Sequence, residues 1–373
     1  MKNILLRAEG LLMLFIYGFL TLFSGVLAPK SSVKCYTPLD ESDVEAIEAL
    51  SEDVRVSSRF YELLFGKGDR DGELLLYPGG SVFGLLIDEE GVSVCSSSSC
   101  RALLTGDRIL KVNGVEAIDS SIIEKEVKSS GGGRIELTIL RSGQRMTVSV
   151  LPKLVDGEYK LGVTLRSRTA GIGTLTFIEP NTLSFGGLGH GVSDSERGGY
   201  VTVKAGTVNS VVLGGCKRGE PGKAGELTGV LKQDSHGTIS INNECGVFGV
   251  LDELPSYATS PIPAGKRDEL KAGAAEIIST VRNGKRQSYS IEIYDIDYTS
   301  TGSKSFKIRV TDPTLVALTG GIVRGMSGSP IIQDGKLVGA VTHVMVANPT
   351  EGYGIFIENM LNAANNQSQQ KAA

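Results

Sequence analysis

A mainly β protein built around a pair of β-barrels is expected from three features of the 373-residue sequence. Glycine is over-represented, short runs of alternating apolar and polar residues recur from about residue 74 onward, and no alternation of strand-length and helix-length segments marks a doubly wound sheet. The 48 glycines stand against 12 prolines and no tryptophan, and they amount to about 13% of the chain, roughly twice average usage. That balance fits tight turns and bulges between short strands better than low complexity. With 40% hydrophobic and 21% charged residues the chain can bury real cores, which excludes collagen-like, coiled-coil and wholly disordered classes. A net charge of −4 gives no field that would draw nucleic acid.

The elements follow in order. Residues 11–28 (LLMLFIYGFLTLFSGVLA) carry no charge and follow Lys2 and Arg7; such a run just reaches across a hydrocarbon core of roughly 30 Å. Residues 1–28 therefore read as a signal anchor or a cleaved signal peptide, with the basic flank cytoplasmic and the remainder exported. Val26-Leu27-Ala28 has the small-residue look of a cleavage site, and Pro29 speaks for retention. Residues 29–73 form a polar spacer with one amphipathic helix at 41–51, where Val44, Ile47 and Leu50 recur at helical spacing. Short strands follow at 74–77, 82–87, 108–112, 134–140 and 146–150, with a helix over 120–130, making a small β domain over 74–155. From 156 to 362 the pattern is strands punctuated by glycine. There an Asn283-Gly284 turn joins 276–282 to 287–295, and further strands fall at 306–310, 330–333 and 336–346. About 200 residues of this kind suit two barrels. Residues 363–373 read as a disordered, solvated tail.

The five cysteines, Cys35, Cys95, Cys100, Cys216 and Cys245, match no zinc spacing. Export would permit Cys95–Cys100 or Cys216–Cys245 pairs, and incidental thiols are the alternative. No metal site and no cofactor are expected.

Two constellations carry chemistry. In the small domain, Thr105-Gly106-Asp107-Arg108-Ile109-Leu110-Lys111-Val112-Asn113-Gly114 resembles the strongest motif of PDZ domains. Upstream, Val82, Phe83, Gly84 and Leu85 fit a carboxylate-binding loop whose backbone N–H groups would face a peptide C-terminus, the peptide adding as a strand to the next edge. An ordinary hairpin domain without peptide function is the competing reading. The second constellation is Gly325-Met326-Ser327-Gly328-Ser329-Pro330. A G-x-S-G-x-P turn is what a chymotrypsin-type nucleophile requires, because the backbone N–H groups of Gly325 and Ser327 can then form an oxyanion hole. The flanking sequence reads as a hairpin, unlike the strand-to-helix elbow of α/β-hydrolases.

Only three histidines are available as a base. His190 lies in a glycine-rich corner upstream of the serine and satisfies the His, Asp, Ser order of chymotrypsin-like enzymes. His236 reads as an exposed polar turn, and His343 as a strand residue near the cleft.

Taken together, the apolar N-terminus, the PDZ-like segment, FGGLGHGVSD, GEPGKAGELTGV, NNECGVFG and RGMSGSPIIQDGKLVGAVTHVMVANPTEGYGIFIENM resemble the SpoIVB peptidases, the signalling serine proteases of stage IV of sporulation. The resemblance implies a chymotrypsin-like serine peptidase with His190 as base, Ser327 as nucleophile and Asp312 as acid, only fifteen residues before the serine. Asp295 and Asp297 are rivals for the acid. It further implies a membrane-tethered endopeptidase, exported into the space between forespore and mother-cell membranes, that cleaves a regulatory protein during endospore formation. The alternative is an inactive scaffold or envelope sensor that only binds peptides. The expected partners are a protein substrate, peptide C-termini at the PDZ-like domain and a membrane through residues 11–28, with no nucleic acid.

Overall fold

Two closed rings of strands organise residues 74–194 and 196–370, the part of the chain that this computed structural model describes. The membrane segment expected at 11–28, the helix expected at 41–51 and Cys35 lie outside those residues. No helix among the described residues is long and apolar enough to cross a membrane. In chain order the elements are β1 (Leu75–Pro78), β2 (Val82–Ser97), β3 (Arg108–Val112), β4 (Val115–Glu116), α1 (Ser120–Ser129), β5 (Ile135–Arg141), β6 (Gln144–Val150), β7 (Lys153–Val155), β8 (Glu158–Lys160) and β9 (Val163–Ile178). There follow β10 (Ser184–Gly187), β11 (Ala205–Lys217), β12 (Glu226–Asn243), β13 (Gly246–Leu251), β14 (Ile262–Pro263), β15 (Gly273–Arg282), β16 (Lys285–Tyr294) and β17 (Phe306–Val310). The last elements are α2 (Pro313–Thr319), β18 (Pro330–Gln333), β19 (Lys336–Val344), β20 (Glu351–Phe356) and α3 (Ile357–Gln370).

The first barrel runs β9-β10-β13-β12-β11-β2 and closes by pairing β2 with β9. The second runs β15-β16-β17-β20-β19-β18 and closes from β18 to β15. Alternation drives both, since every second side chain of an antiparallel strand faces inward. In β17, Phe306, Ile308 and Val310 are buried while Arg309 between them is exposed. Asn283 and Gly284 both take positive φ, +55° and +64°, as a type I′ hairpin turn demands. Between the barrels, Leu76, Phe177, Phe248, Ile332, Ile355 and Met360 share one buried cluster. The mainly β, double-barrel expectation holds.

The small domain grows out of the first barrel. Strands β2 and β9 are sixteen residues each, and they pair along almost their whole length with a register break between Asp88 and Ser93. Gly91 sits at that break with φ +77°, and a Cβ there would come within 2.5 Å of the Ile109 carbonyl oxygen, so the strand can bend only because the position is glycine. Beyond it, Val92 and Val94 join Ile109, Ile123, Ile135 and Leu137 in a separate core. Asp119 caps α1 by accepting from Ser121 N at 2.8 Å.

Two expectations are corrected here, on the small domain and on the tail, and the alternative left open for the cysteines is decided. Phe83, Leu85 and Ile87 belong to the first barrel's core and Leu161 to the small domain's, so the small domain is not the contiguous stretch 74–155; two long strands serve two cores, and no turn signal marks the change. The chain from 363 continues as α3 to Gln370 rather than as a tail. Cys95, Cys100, Cys216 and Cys245 are free thiols, and burial pushes Cys245 up to about 11, which leaves it unreactive at neutral pH.

Candidate active site

The serine loop lies between α2 and β18 and depends on its glycines. Gly325 and Gly328 take φ of +97° and +93°, conformations that L side chains rarely adopt. A Cβ on Gly328 would lie 2.0 Å from Thr174 O and 2.4 Å from Leu188 N, both backbone atoms. The loop can press this closely on the first barrel only without a side chain there. From Gly325 to Pro330 every residue is buried except Ser327, which is half-buried.

The loop's carbonyls are held by hydroxyls and backbone amides. Thr174 N donates to Ser327 O at 2.9 Å and Thr174 Oγ1 to Gly325 O at 2.7 Å. Thr176 Oγ1 donates to Gly328 O at 2.8 Å, and Ser329 Oγ to Met326 O at 2.7 Å. Both threonines are fully buried. With its carbonyls engaged, the loop leaves the N–H groups of Gly325 and Ser327 without an acceptor among the described residues. Two uncommitted N–H donors flanking an accessible hydroxyl are what an oxyanion hole needs.

His190 follows β10 through Leu188 and Gly189, both at positive φ. Leu188 N donates to Thr174 O at 3.2 Å, so the backbone and side chain of one threonine hold both the histidine turn and the serine loop. The Nδ1 of His190 lies 3.0 Å from Gly191 O. A carbonyl only accepts, so this contact places the proton on Nδ1 and leaves the Nε2 lone pair available. Burial lowers the pKa of His190, against a smaller opposing push from the Gly191 carbonyl. A neutral imidazole with a free lone pair can take a proton. The Ser327 hydroxyl donates to Thr342 O at 2.8 Å and bonds neither ring. Thr342 directly precedes His343, whose ring centroid is 4.7 Å from that of His190. This brings His190, Ser327 and His343 into one neighbourhood at the junction of the two barrels.

Asp312 is not brought there. Its carboxylate caps α2, accepting from Leu315 N at 2.9 Å and from Ser290 N at 3.5 Å, and makes no hydrogen bond to His190. The Asp-Pro that starts a short helix is sufficient reason for an aspartate at this position. Its rivals are engaged elsewhere on the surface: Asp295 pairs with Lys307 at 2.6 Å, and Asp297 accepts from Thr299 N and Oγ1. The place expected for an acid, at Nδ1 of the base, is taken by the Gly191 carbonyl.

His236 is exposed, as expected, but it lies within β12 rather than in a turn. Ser210 Oγ and Asp234 Oδ2 lie 2.8 and 3.3 Å from its Nε2. Because both partners meet the same ring nitrogen, the group cannot relay a proton as a Ser-His-Asp triad does.

The loop expected at Val82, Phe83, Gly84 and Leu85 is corrected. These residues are strand, paired with β9 from Val82↔Thr174 to Leu85↔Gly171. On the other side Gly84 and Leu85 pair with Asn209 and Val208 of β11. Barrel closure takes up the strand's edges, so no N–H nest faces solvent there. The open edge is elsewhere: among the described residues no strand pairs with the side of β9 at 163–168 that lies away from β2. Helix α1 packs beside it, with Ser120 N donating to Ser167 Oγ at 2.8 Å.

Thr174 and Thr176 went unread in the sequence. The only signal is their alternate spacing in Gly173-Thr174-Leu175-Thr176-Phe177, which puts two hydroxyls on one face of a strand without saying what they hold.

Two six-stranded barrels with a G-x-S-G-x-P loop and a histidine at their junction define the class as chymotrypsin-like serine peptidases. Residues 157–361 match the family model of SpoIVB peptidase S55, and the chain belongs to that family. A stretch of 67 residues, 18% of the chain, is 37% identical to part of the "Putative zinc metalloprotease LL2128" of Lactococcus lactis subsp. lactis (strain IL1403). The chain covers 16% of that protein's length. Among the described residues of this chain no three His, Cys, Asp or Glu side chains converge as metal ligands would.

Proposed function

We propose that this chain is a serine endopeptidase in which Ser327 is the nucleophile, His190 the general base and the N–H groups of Gly325 and Ser327 the oxyanion donors. The observation that carries this reading is the serine loop: its carbonyls are clamped by Thr174 and Thr176, and its two uncommitted N–H groups flank its one accessible residue. In the reaction the Ser327 hydroxyl turns from Thr342 O, gives its proton to His190 Nε2 and attacks a peptide carbonyl. The oxyanion then meets the two N–H donors, and His190 returns the proton to the leaving amine. Incubation with a serine-directed fluorophosphonate tests it. Mass spectrometry should place the adduct on Ser327, and Ser327→Ala should neither label nor cleave an unfolded protein. Equal cleavage by that variant would rule out Ser327 as nucleophile.

The finer reading is that the enzyme is exported, tethered by residues 11–28, and cleaves a regulatory protein between the membranes of a developing endospore. Family membership and the uncharged N-terminal run support it. Terminal-peptide mass spectrometry on sporulating cells carrying wild type or Ser327→Ala would reveal the substrate, and identical peptide sets would refute this role.

A second function has its own observation behind it. The open edge of β9 at 163–168, bordered by α1 with its buried Ile123 and Val127, has the strand-and-helix form into which a peptide C-terminus adds as a further strand. Leu165→Glu should weaken binding of fluorescent C-terminal peptides while leaving Ser327 labelling intact. Unchanged peptide affinity would remove this assignment.

A further inference from the structure

We infer that the enzyme cuts after small, uncharged residues, because Ile322 fills the space into which the side chain before the scissile bond would project. The inference rests on the peptidase reading above and names the substrate class of that same site. A peptide that reacts there brings its carbonyl carbon to Ser327 Oγ and its carbonyl oxygen to the N–H groups of Gly325 and Ser327. The N–H of the same substrate residue then needs an acceptor. Thr342 O can serve, since the Ser327 hydroxyl holds it at 2.8 Å at rest and leaves it on attacking. The substrate residue is thereby laid between the serine loop and the end of β19. Its side chain points down between the segment that leads into the loop, 320–324, and the start of β20.

Ile322 closes that space. Its backbone is pinned, for Ile322 N donates to Pro349 O at 2.7 Å, and a Cβ on Gly321 would lie 2.2 Å from the same oxygen. Its side chain reaches across to β20. A Cβ on Gly352 would fall 2.6 Å from Ile322 Cδ1 and 2.5 Å from His343 O. The tip of the isoleucine, the glycine of β20 and the backbone just beyond Thr342 therefore meet at one point, and only glycine at 352 lets them. Ile322 is 2% exposed and belongs to the second barrel's core together with Val323, Met326 and Leu227. Leu227 lies against Gly325, where a Cβ would be 3.0 Å from its own Cβ. No charge waits in this space. Arg324, the one charged residue of 320–330, is exposed, and Glu351, beside Gly352, is paired with Arg309 at 3.1 Å. A charged side chain set on this floor would lose water and find no partner. A long aliphatic or aromatic one would have to displace a packed core residue.

The test digests unfolded casein with the full chain, reads the cut sites by mass spectrometry, and remakes one cleaved peptide with Ala, Leu, Phe, Lys or Glu before the cut. Wild type should process the Ala peptide with a kcat/KM roughly tenfold or more above each of the others. Ile322→Ala, which shortens the floor to a methyl group, should raise the Leu peptide roughly tenfold or more relative to the Ala peptide, and Ile322→Val only a few-fold. Thermal midpoints and fluorophosphonate labelling at Ser327 report whether each variant is folded and competent. A folded Ile322→Ala with an unchanged ratio of Leu to Ala cleavage would overturn the inference. Should that variant not fold, the wild-type series decides alone: cleavage after Leu, Phe, Lys or Glu as fast as after Ala would overturn it too. A folded wild type that neither labels at Ser327 nor cuts casein would instead bring down the peptidase reading, and this inference with it.

Discussion

At Asp312 a reading by chain order and a reading by geometry part. The order His190, Asp312, Ser327 is that of a triad, and the resemblance to a family put the acid there; the structure gives the same carboxylate a complete local task as the cap of α2. Chain order carries no distance, so it could not separate these uses. A triad acid replaced by its amide loses roughly 10⁴ in turnover in the chymotrypsin example, whereas asparagine caps a helix about as well as aspartate. Asp312→Asn should therefore keep turnover within a few-fold and the thermal midpoint nearly unchanged, and Asp312→Ala should lose about 1 kcal/mol. Denaturant melts and peptidase assays on the two variants check both numbers. The histidines make a second prediction. Burial lowers both pKa values below the ordinary 6.5, so the folded state binds fewer protons there than the unfolded chain. Their contribution to stability is complete above pH 6.5 and declines as pH falls, for His343 down through about 4. Midpoints measured across that window should drop, and less so in His343→Phe. The acid limb of activity should likewise lie below 6.5.

Among the elements, strands were legible where alternation is clean and turn chemistry explicit. Phe306–Val310 and Pro330–Gln333 fall where the periodicity puts them, and Asn283-Gly284 makes the expected hairpin. What was not legible was pairing. Val82 to Leu85 reads equally well as a glycine-containing loop or as a barrel strand, and only long-range closure onto β9 and β11 decides. The same blindness hid Thr174, whose hydroxyl and amide hold the serine loop and whose carbonyl holds the histidine turn. Thr174→Val keeps the shape but removes the Oγ1 donor and leaves Gly325 O buried without that partner, at a cost of roughly 1–3 kcal/mol. The loop's N–H groups should lose their aim, so kcat should fall with little change in KM. Thr174→Ser, which restores the hydroxyl, should recover most of it; no recovery would mean that the methyl group, not the hydrogen bond, is what matters.

On the scale of the whole molecule, a buried ionic network ties the small domain to the segment that follows His190. Glu89 pairs with Arg108 of the Gly106-Asp107-Arg108 turn and with Arg197, and Arg197 pairs with Asp194. Glu89, Arg108 and Asp194 are all buried, and Arg108 Nε finds no partner. Removing one member strands the others in low dielectric. Glu89→Ala should cost roughly 3–5 kcal/mol, while replacing Glu89 and Arg108 together by apolar residues of similar volume should cost much less. Double-mutant melts decide whether the network behaves as one unit. The barrels, for their part, bring a histidine of one and a serine of the other to a common junction, where Thr174 bonds the serine's carbonyl and the turn that leads to the histidine. The most direct measurement of that joint action is the fluorophosphonate labelling rate at Ser327 in wild type, His190→Ala and Asp312→Asn, each shown to be folded. Labelling that is lost in His190→Ala and retained in Asp312→Asn is the predicted result; retention in His190→Ala, or loss in Asp312→Asn, would contradict a Ser327–His190 pair whose tautomer is set by the Gly191 carbonyl.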